Sequence, residues 1–121
     1  MPKADKSDRV DPQIALKNAA DLLAHDPRLA EEQAQEILKV YPDTIDAKRL
    51  LASAYRLQKM PQRGLDALAP LLAEHNDSPD FLHEIALCQG GVGQGDEAIA
   101  SLRKAVAIDP THKAAWDSLG H

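Results

Sequence analysis

The chain has 121 residues, which suits a single domain able to bury roughly two-thirds of the surface its unfolded form exposes. Hydrophobic residues make up 44% and charged residues 27%, but aromatics only 3%, so the core must come mainly from Ala and Leu, both strong helix formers. A net charge of −5 without a basic stripe argues against nucleic-acid partners, and a single cysteine, Cys88, excludes an internal disulfide.

No apolar run approaches the roughly 18 residues of a membrane span, and the N-terminus lacks a signal-peptide pattern. The expected location is the cytoplasm.

Residues 1–10 are polar and read as a disordered tail. Helices are expected near 11–25, 28–41, 44–59, 62–75, 78–92, 95–108 and 112–121. In the first, a strict repeat register buries Lys17, Asn18 and Asp21, whereas a shift of two residues buries Leu16, Ala19, Ala20 and Leu23. The shifted register is favoured on burial grounds, as is an atypical terminal geometry. Pro27 and Pro61 sit where a helix can begin, because the first turn has spare N–H groups. Pro42 and Pro110 end helices. Leu65, Leu68, Leu71 and Leu72 form one apolar stripe, interrupted by Pro70, which predicts a kink.

A 34-residue period runs through the chain. Pro42, Asn76 and Pro110 keep it, as do Leu51, Ile85 and Leu119, and Ala52, Ala86 and Gly120. Ala30, Gly64 and Ala98 share it with Ala34, Leu68 and Leu102, and with Pro27, Pro61 and Gly95. Small residues at Ala52, Ala86 and Gly120 are expected to let one helix backbone approach the next.

Trp116-x₂-Leu119-Gly120, Leu51-Ala52-x₂-Tyr55 with Gly64-x₃-Leu68, and Ile85-Ala86 with Ala98-x₃-Leu102 and Pro110 resemble the tetratricopeptide repeat pattern over about residues 11–121. The resemblance implies an all-α fold, with antiparallel helix hairpins stacked as a right-handed α-solenoid. Its repeats are expected near 11–44, 45–78 and 79–112, with a partial repeat at 113–121. The Ala- and Leu-rich runs 65–72 and 114–120 also look like the repeats preceding the catalytic domain in bacterial tetratricopeptide sulfotransferases. On that reading the chain is a fragment of a larger enzyme whose catalytic domain lies elsewhere. The unfinished fourth repeat reads as a fragment's end or as a natural cap, and its uncovered apolar face implies self-association.

The search for chemistry returns little. Gly90 to Gly95 has phosphate-loop spacing, but Asp96 and Glu97 stand where Lys and a hydroxyl are needed. Asp96 also takes the place of the third glycine of the dinucleotide fingerprint. The five histidines, His25, His75, His83, His112 and His121, show no i, i+4 pair, so no metal is expected. Cys88 reads as a small buried hydrophobe. Ser53, Ser101 and Ser118 lack a nucleophile-elbow context. The Glu31–Glu32 and Asp96–Glu97 pairs suit helix N-termini. No cofactor and no catalytic residue are expected.

What the resemblance implies is a concave groove lined by the first helix of each hairpin, binding a protein or peptide segment. After subtracting buried positions, the groove residues are Asp46, Arg49, Ser53 and Arg56, then Asp80, His83 and Leu87, then Asp117 and His121. Some relatives grip a peptide's terminal carboxylate with Lys, Asn, Asn, Lys and Arg. Here Arg49 and Arg56 are present without an asparagine pair, so a chaperone-tail function does not carry over. The mixed charge points to a ligand bearing both signs or to a neutral extended segment.

Overall fold

The computed structural model describes residues 11–120, so the expected disordered tail at 1–10 and the groove position His121 lie outside the described residues. Helix α1 spans Pro12–Leu22, α2 Pro27–Val40, α3 Ile45–Leu57, α4 Pro61–Leu68, α5 Leu72–His75, α6 Pro79–Gly91, α7 Gly95–Ile108 and α8 Lys113–Ser118. Among the described residues there is no strand. Helices α1, α3, α6 and α8 run side by side as an inner layer, and α2, α4 and α7 pack between successive members as an outer layer.

Each hairpin is punctuated as its sequence dictates. Pro12, Pro27, Pro61 and Pro79 occupy first-turn positions of α1, α2, α4 and α6. Asp11, Asp26 and Ser78 cap α1, α2 and α6 by accepting from the backbone N–H of Gln13, Leu29 and Phe81. At the α3–α4 and α6–α7 turns the chain reverses with a left-handed residue, Lys59 (φ 69°) in the first and Gly93 (φ 88°) one period later. In each, the N–H of the residue after the left-handed one reaches back into the helix, Met60 to Tyr55 O and Gln94 to Gln89 O.

The core is a series of junctions, not one central cluster. Leu16, Ile37 and Ala47 bury the first. Ala52, Leu65, Leu68, Phe81, Ile85 and Cys88 bury the second. Leu82, Ala86, Ala98, Leu102, Ala105, Val106 and Ala115 bury the third, with Trp116 and Leu119 packed against it. Each hairpin therefore covers its apolar stripe with its neighbour.

Four expectations meet their details here. In α1, Leu16 and Ala19 are buried while Lys17, Asn18 and Asp21 are exposed, as the shifted register requires, but Ala20 is exposed because it faces the opening between α1 and α3. The first helix stops at Leu22 rather than at residue 25, the turn bonding His25 and Asp26 back to Leu22. Pro70 does more than bend its helix: residues 69–71 form a 3-10 turn that separates α4 from α5. Gly120 does not mediate a close helix approach. It lies in an exposed turn at φ 89°, with no atom near where a Cβ would sit, because α8 stops at Ser118.

Candidate functional site

The inner layer places a chemically varied surface along α1, α3, α6 and α8. A cavity of about 400 Å³ opens between α1 and α3. Asp46, Arg49 and Ser53 line it from α3, and Gln13 and Lys17 face them from α1. Leu16, Ala20, Leu23 and Leu50 supply its apolar wall. The i, i+3, i+7 spacing of Asp46, Arg49 and Ser53 puts them on one helical face, which is why they converge.

The cations along this surface bring their own counter-charges. Arg49 Nη2 donates to Asp46 Oδ1 at 2.8 Å, and Lys17 Nζ to Asp21 Oδ2 at 3.3 Å. Lys113 Nζ donates to Asp117 Oδ2 at 2.9 Å. Arg56 Nε donates to Glu84 Oε2 at 3.0 Å, leaving its terminal amino groups for other contacts. A surface neutralised at short range exerts a weak long-range field.

Ser53 and Arg56 are tied to a residue that the sequence does not single out. Glu84 on α6 is 7% exposed, accepts from the Ser53 hydroxyl and from Arg56, and lies near the Cys88 thiol. This network crosses from α3 to α6 and satisfies a buried carboxylate with a charged partner and a hydroxyl. The only signal for it is a break in pattern: Leu50 and Ser118 occupy the equivalent places one period away. Burial first, and then Glu84, push the Cys88 thiol up to about 12, so it stays protonated and unreactive.

At the other end, Asp80 and His83 meet the last helix through His112 and Ser118, whereas Asp117 pairs with Lys113 on α8 itself. His112 Nε2 lies 2.8 Å from Asp80 Oδ1, and its Nδ1 accepts from the Ala115 N–H at 3.1 Å, capping α8. His83 Nε2 lies 3.2 Å from Ser118 Oγ, and the two imidazoles sit with centroids 5.5 Å apart. Leu87 is half-buried one turn beyond His83. The role of His112 has no local signal, since His83 and His112 are distant in sequence.

Among the described residues, no group of three His, Cys, Asp or Glu side chains is arranged to hold a metal ion. No described helix is long and apolar enough to cross a membrane.

No family model and no curated protein matches the chain. Solved structures do, two of MamA among them. "MamA 41-end from Desulfovibrio magneticus RS-1" superposes with a TM-score of 0.73 at 22% identity, covering 91% of this chain and 63% of that one. A second, "Crystal structure of MamA", superposes with a TM-score of 0.73 at 24% identity, covering 95% of this chain and 68% of that one. The fold is a right-handed tetratricopeptide-type solenoid. Likeness at this identity speaks for the architecture, and the chain spans about two-thirds of each MamA structure. The resemblance to tetratricopeptide sulfotransferases gains no support from these structures.

Proposed function

We infer that the chain is a protein-interaction scaffold that holds an extended polypeptide segment along α1, α3, α6 and α8 and performs no catalysis of its own, acting in the cytoplasm. The observation that carries this reading is the cavity between α1 and α3, where Asp46, Arg49 and Ser53 meet an apolar wall of Leu16, Leu23 and Leu50. Sites of this make-up take an apolar side chain while fixing the neighbouring backbone through a few polar groups. Because the groove cations are already paired, the ligand suited to them is neutral or carries both signs. Its affinity should change little with added salt.

Selection from a displayed peptide library tests this. Enriched peptides should bind Arg49→Ala plus Lys17→Ala about tenfold more weakly, equivalent to about 1.4 kcal/mol, with the helical circular dichroism unchanged. A library that yields no enriched sequence, or peptides that bind the variant as well as the parent, removes the reading. Arg56→Ala is unsuitable for this purpose, since it would strip the buried Glu84 of its cation.

Self-association through the C-terminal end forms part of the same proposal. A cavity of about 590 Å³ is lined by α7, α8 and Leu119, Ile99 among its walls being 43% exposed, and a second copy is the partner inferred for this face. Sedimentation of the parent and of Ile99→Glu checks it: the parent should associate and the variant should not. A place for the chain at the head of a larger enzyme rests on sequence style alone, and a phosphosulfate-binding domain encoded downstream of His121 is what would support it.

A further inference from the structure

We propose that His83 and His112 form a pH-operated clasp that holds α8 on α6 when both rings are neutral and releases it when the pair takes up a proton. The inference is independent of what the groove binds.

The geometry ties both ends of α8 to α6 through imidazoles. At its start, His112 does two tasks that require one tautomer: Nε2–H donates to Asp80, while Nδ1, without a proton, accepts the Ala115 N–H that α8 would otherwise leave unpaired. At its end, Ser118 meets His83. A proton added to His112 can go only on Nδ1, where it points at the Ala115 N–H and abolishes the cap. A proton added to His83 puts a positive charge in a half-buried place, beside an imidazole whose centroid is 5.5 Å away.

The surrounding charges do not all act in one direction. From α3, Arg56 opposes a cation on His83, whereas Asp80 and Glu84 from α6 favour it. Asp109, in the turn before α8, lies close enough to His112 for the two to interact. On α8 itself Lys113 and Asp117 pair with each other, and Arg103 of α7 borders Trp116 and Ser118 on the far side. Burial is the largest influence on His83 and holds its pKa below the ordinary imidazole value, with His112 and Arg56 acting the same way. Asp80 offsets little, because its side chain is 64% exposed and therefore screened.

The sign follows. A group whose pKa is depressed on docking binds its proton more readily once undocked, so docking is fully favoured above the free imidazole value near 6.5 and weakens as pH falls below it. Helix α8 has 6 residues, too few to persist without its cap and its contacts, so the loss falls on α8 first.

Trp116, the chain's single tryptophan, sits on α8 and reports the event. Lowering the pH of the full chain from about 8 to about 5, the window in which imidazole changes charge, should shift Trp116 emission to the red, reversibly, while far-UV circular dichroism changes little. His83→Gln plus His112→Asn, which keeps a hydrogen-bonding side chain at each place and a good N-cap at 112, should abolish the shift. Amide hydrogen exchange of the parent at both pH values, corrected for intrinsic rates, gives a second reading that needs no variant: protection over 115–119 should fall at acid pH while that of α6 and α7 holds. Constant emission in the parent, an equal shift in the double variant, a loss of α8 protection only in step with α6 and α7, or unchanged protection at 115–119 overturns the proposal.

Discussion

Gly64→Ala is a sharp test of how the repeats fit together. Gly64 lies in α4 against α3 and α6, and a Cβ built there would stand 2.9 Å from the Ala52 carbonyl oxygen and 2.8 Å from Cys88 Sγ. Taken alone, alanine should help: it is favoured over glycine inside a helix by about 1 kcal/mol. The clash works against that gain. Overpacking a close contact costs about 1–3 kcal/mol, and a backbone carbonyl inside α3 has little room to give. With the clash at the upper end of that range, because the carbonyl cannot give, the balance is a net loss of about 2 kcal/mol, or roughly 4 °C in Tm for each kcal/mol. The period explains why this repeat differs. Ala30 occupies the equivalent place in the first hairpin, and the residue one period before Cys88 is Ala54, with no sulfur to meet. Cys88→Ala should therefore recover part of the loss in the Gly64→Ala background, with a coupling of about 0.5 kcal/mol or more in a double-mutant cycle. Urea unfolding of the four proteins supplies the data. A Gly64→Ala variant as stable as its parent, or two changes that simply add, refutes the close-approach argument.

Lys59→Gly should raise stability by about 1 kcal/mol in thermal unfolding, since Lys59 holds φ 69° where Gly93 stands one period later. Glu84→Ala should lower stability by about 1–3 kcal/mol by stranding Arg56 and Ser53, and Glu84→Gln should lower it less, because an amide oxygen can still accept from Ser53. A maleimide or disulfide reagent should label Cys88 only as fast as the chain opens, so its rate should track unfolding across urea concentrations.

The sequence carries the architecture because its signals are redundant. Periodic small and apolar residues, prolines in first turns and polar caps all point to stacked hairpins. The convergence of Asp46, Arg49 and Ser53 on one cavity was legible for the same reason: they share a helical face whose register follows from the buried positions around them. What was not legible is what the side chains do with one another. Subtracting buried positions leaves Ser53 and Arg56 as free groove residues, yet both are bound to Glu84, whose place is taken by Leu50 and Ser118 one period away. His112 looks like a solvated histidine in a turn until α6 brings Asp80 and His83 beside it. Gly120 keeps the period of Ala52 and Ala86, but a period marks an equivalent place only while the helix continues, and α8 ends before it.

The three junctions hold their helices by different means, and that bears on how the inner helical face behaves. Between α3 and α6 a buried carboxylate must keep both Ser53 and Arg56, so sliding or tilting one helix against the other leaves a charge unpaired, a steep penalty over a short distance. Between the first hairpin and α3, the core offers Leu16, Ile37 and Ala47, supplemented by half-buried contacts such as Gln58 Nε2 to Glu31 Oε1 at 2.8 Å, which small shifts can rearrange. Helix α8 depends on Trp116, Leu119 and the two histidines. In a one-dimensional stack, where each unit feels only its neighbours, the weakest junctions set the low-energy motions. The middle of this helical face therefore acts as a fixed reference. The cavity beside α1 and the surface beside α8 are its more adjustable parts, and hydrogen exchange should find α3 and α6 the last helices to open.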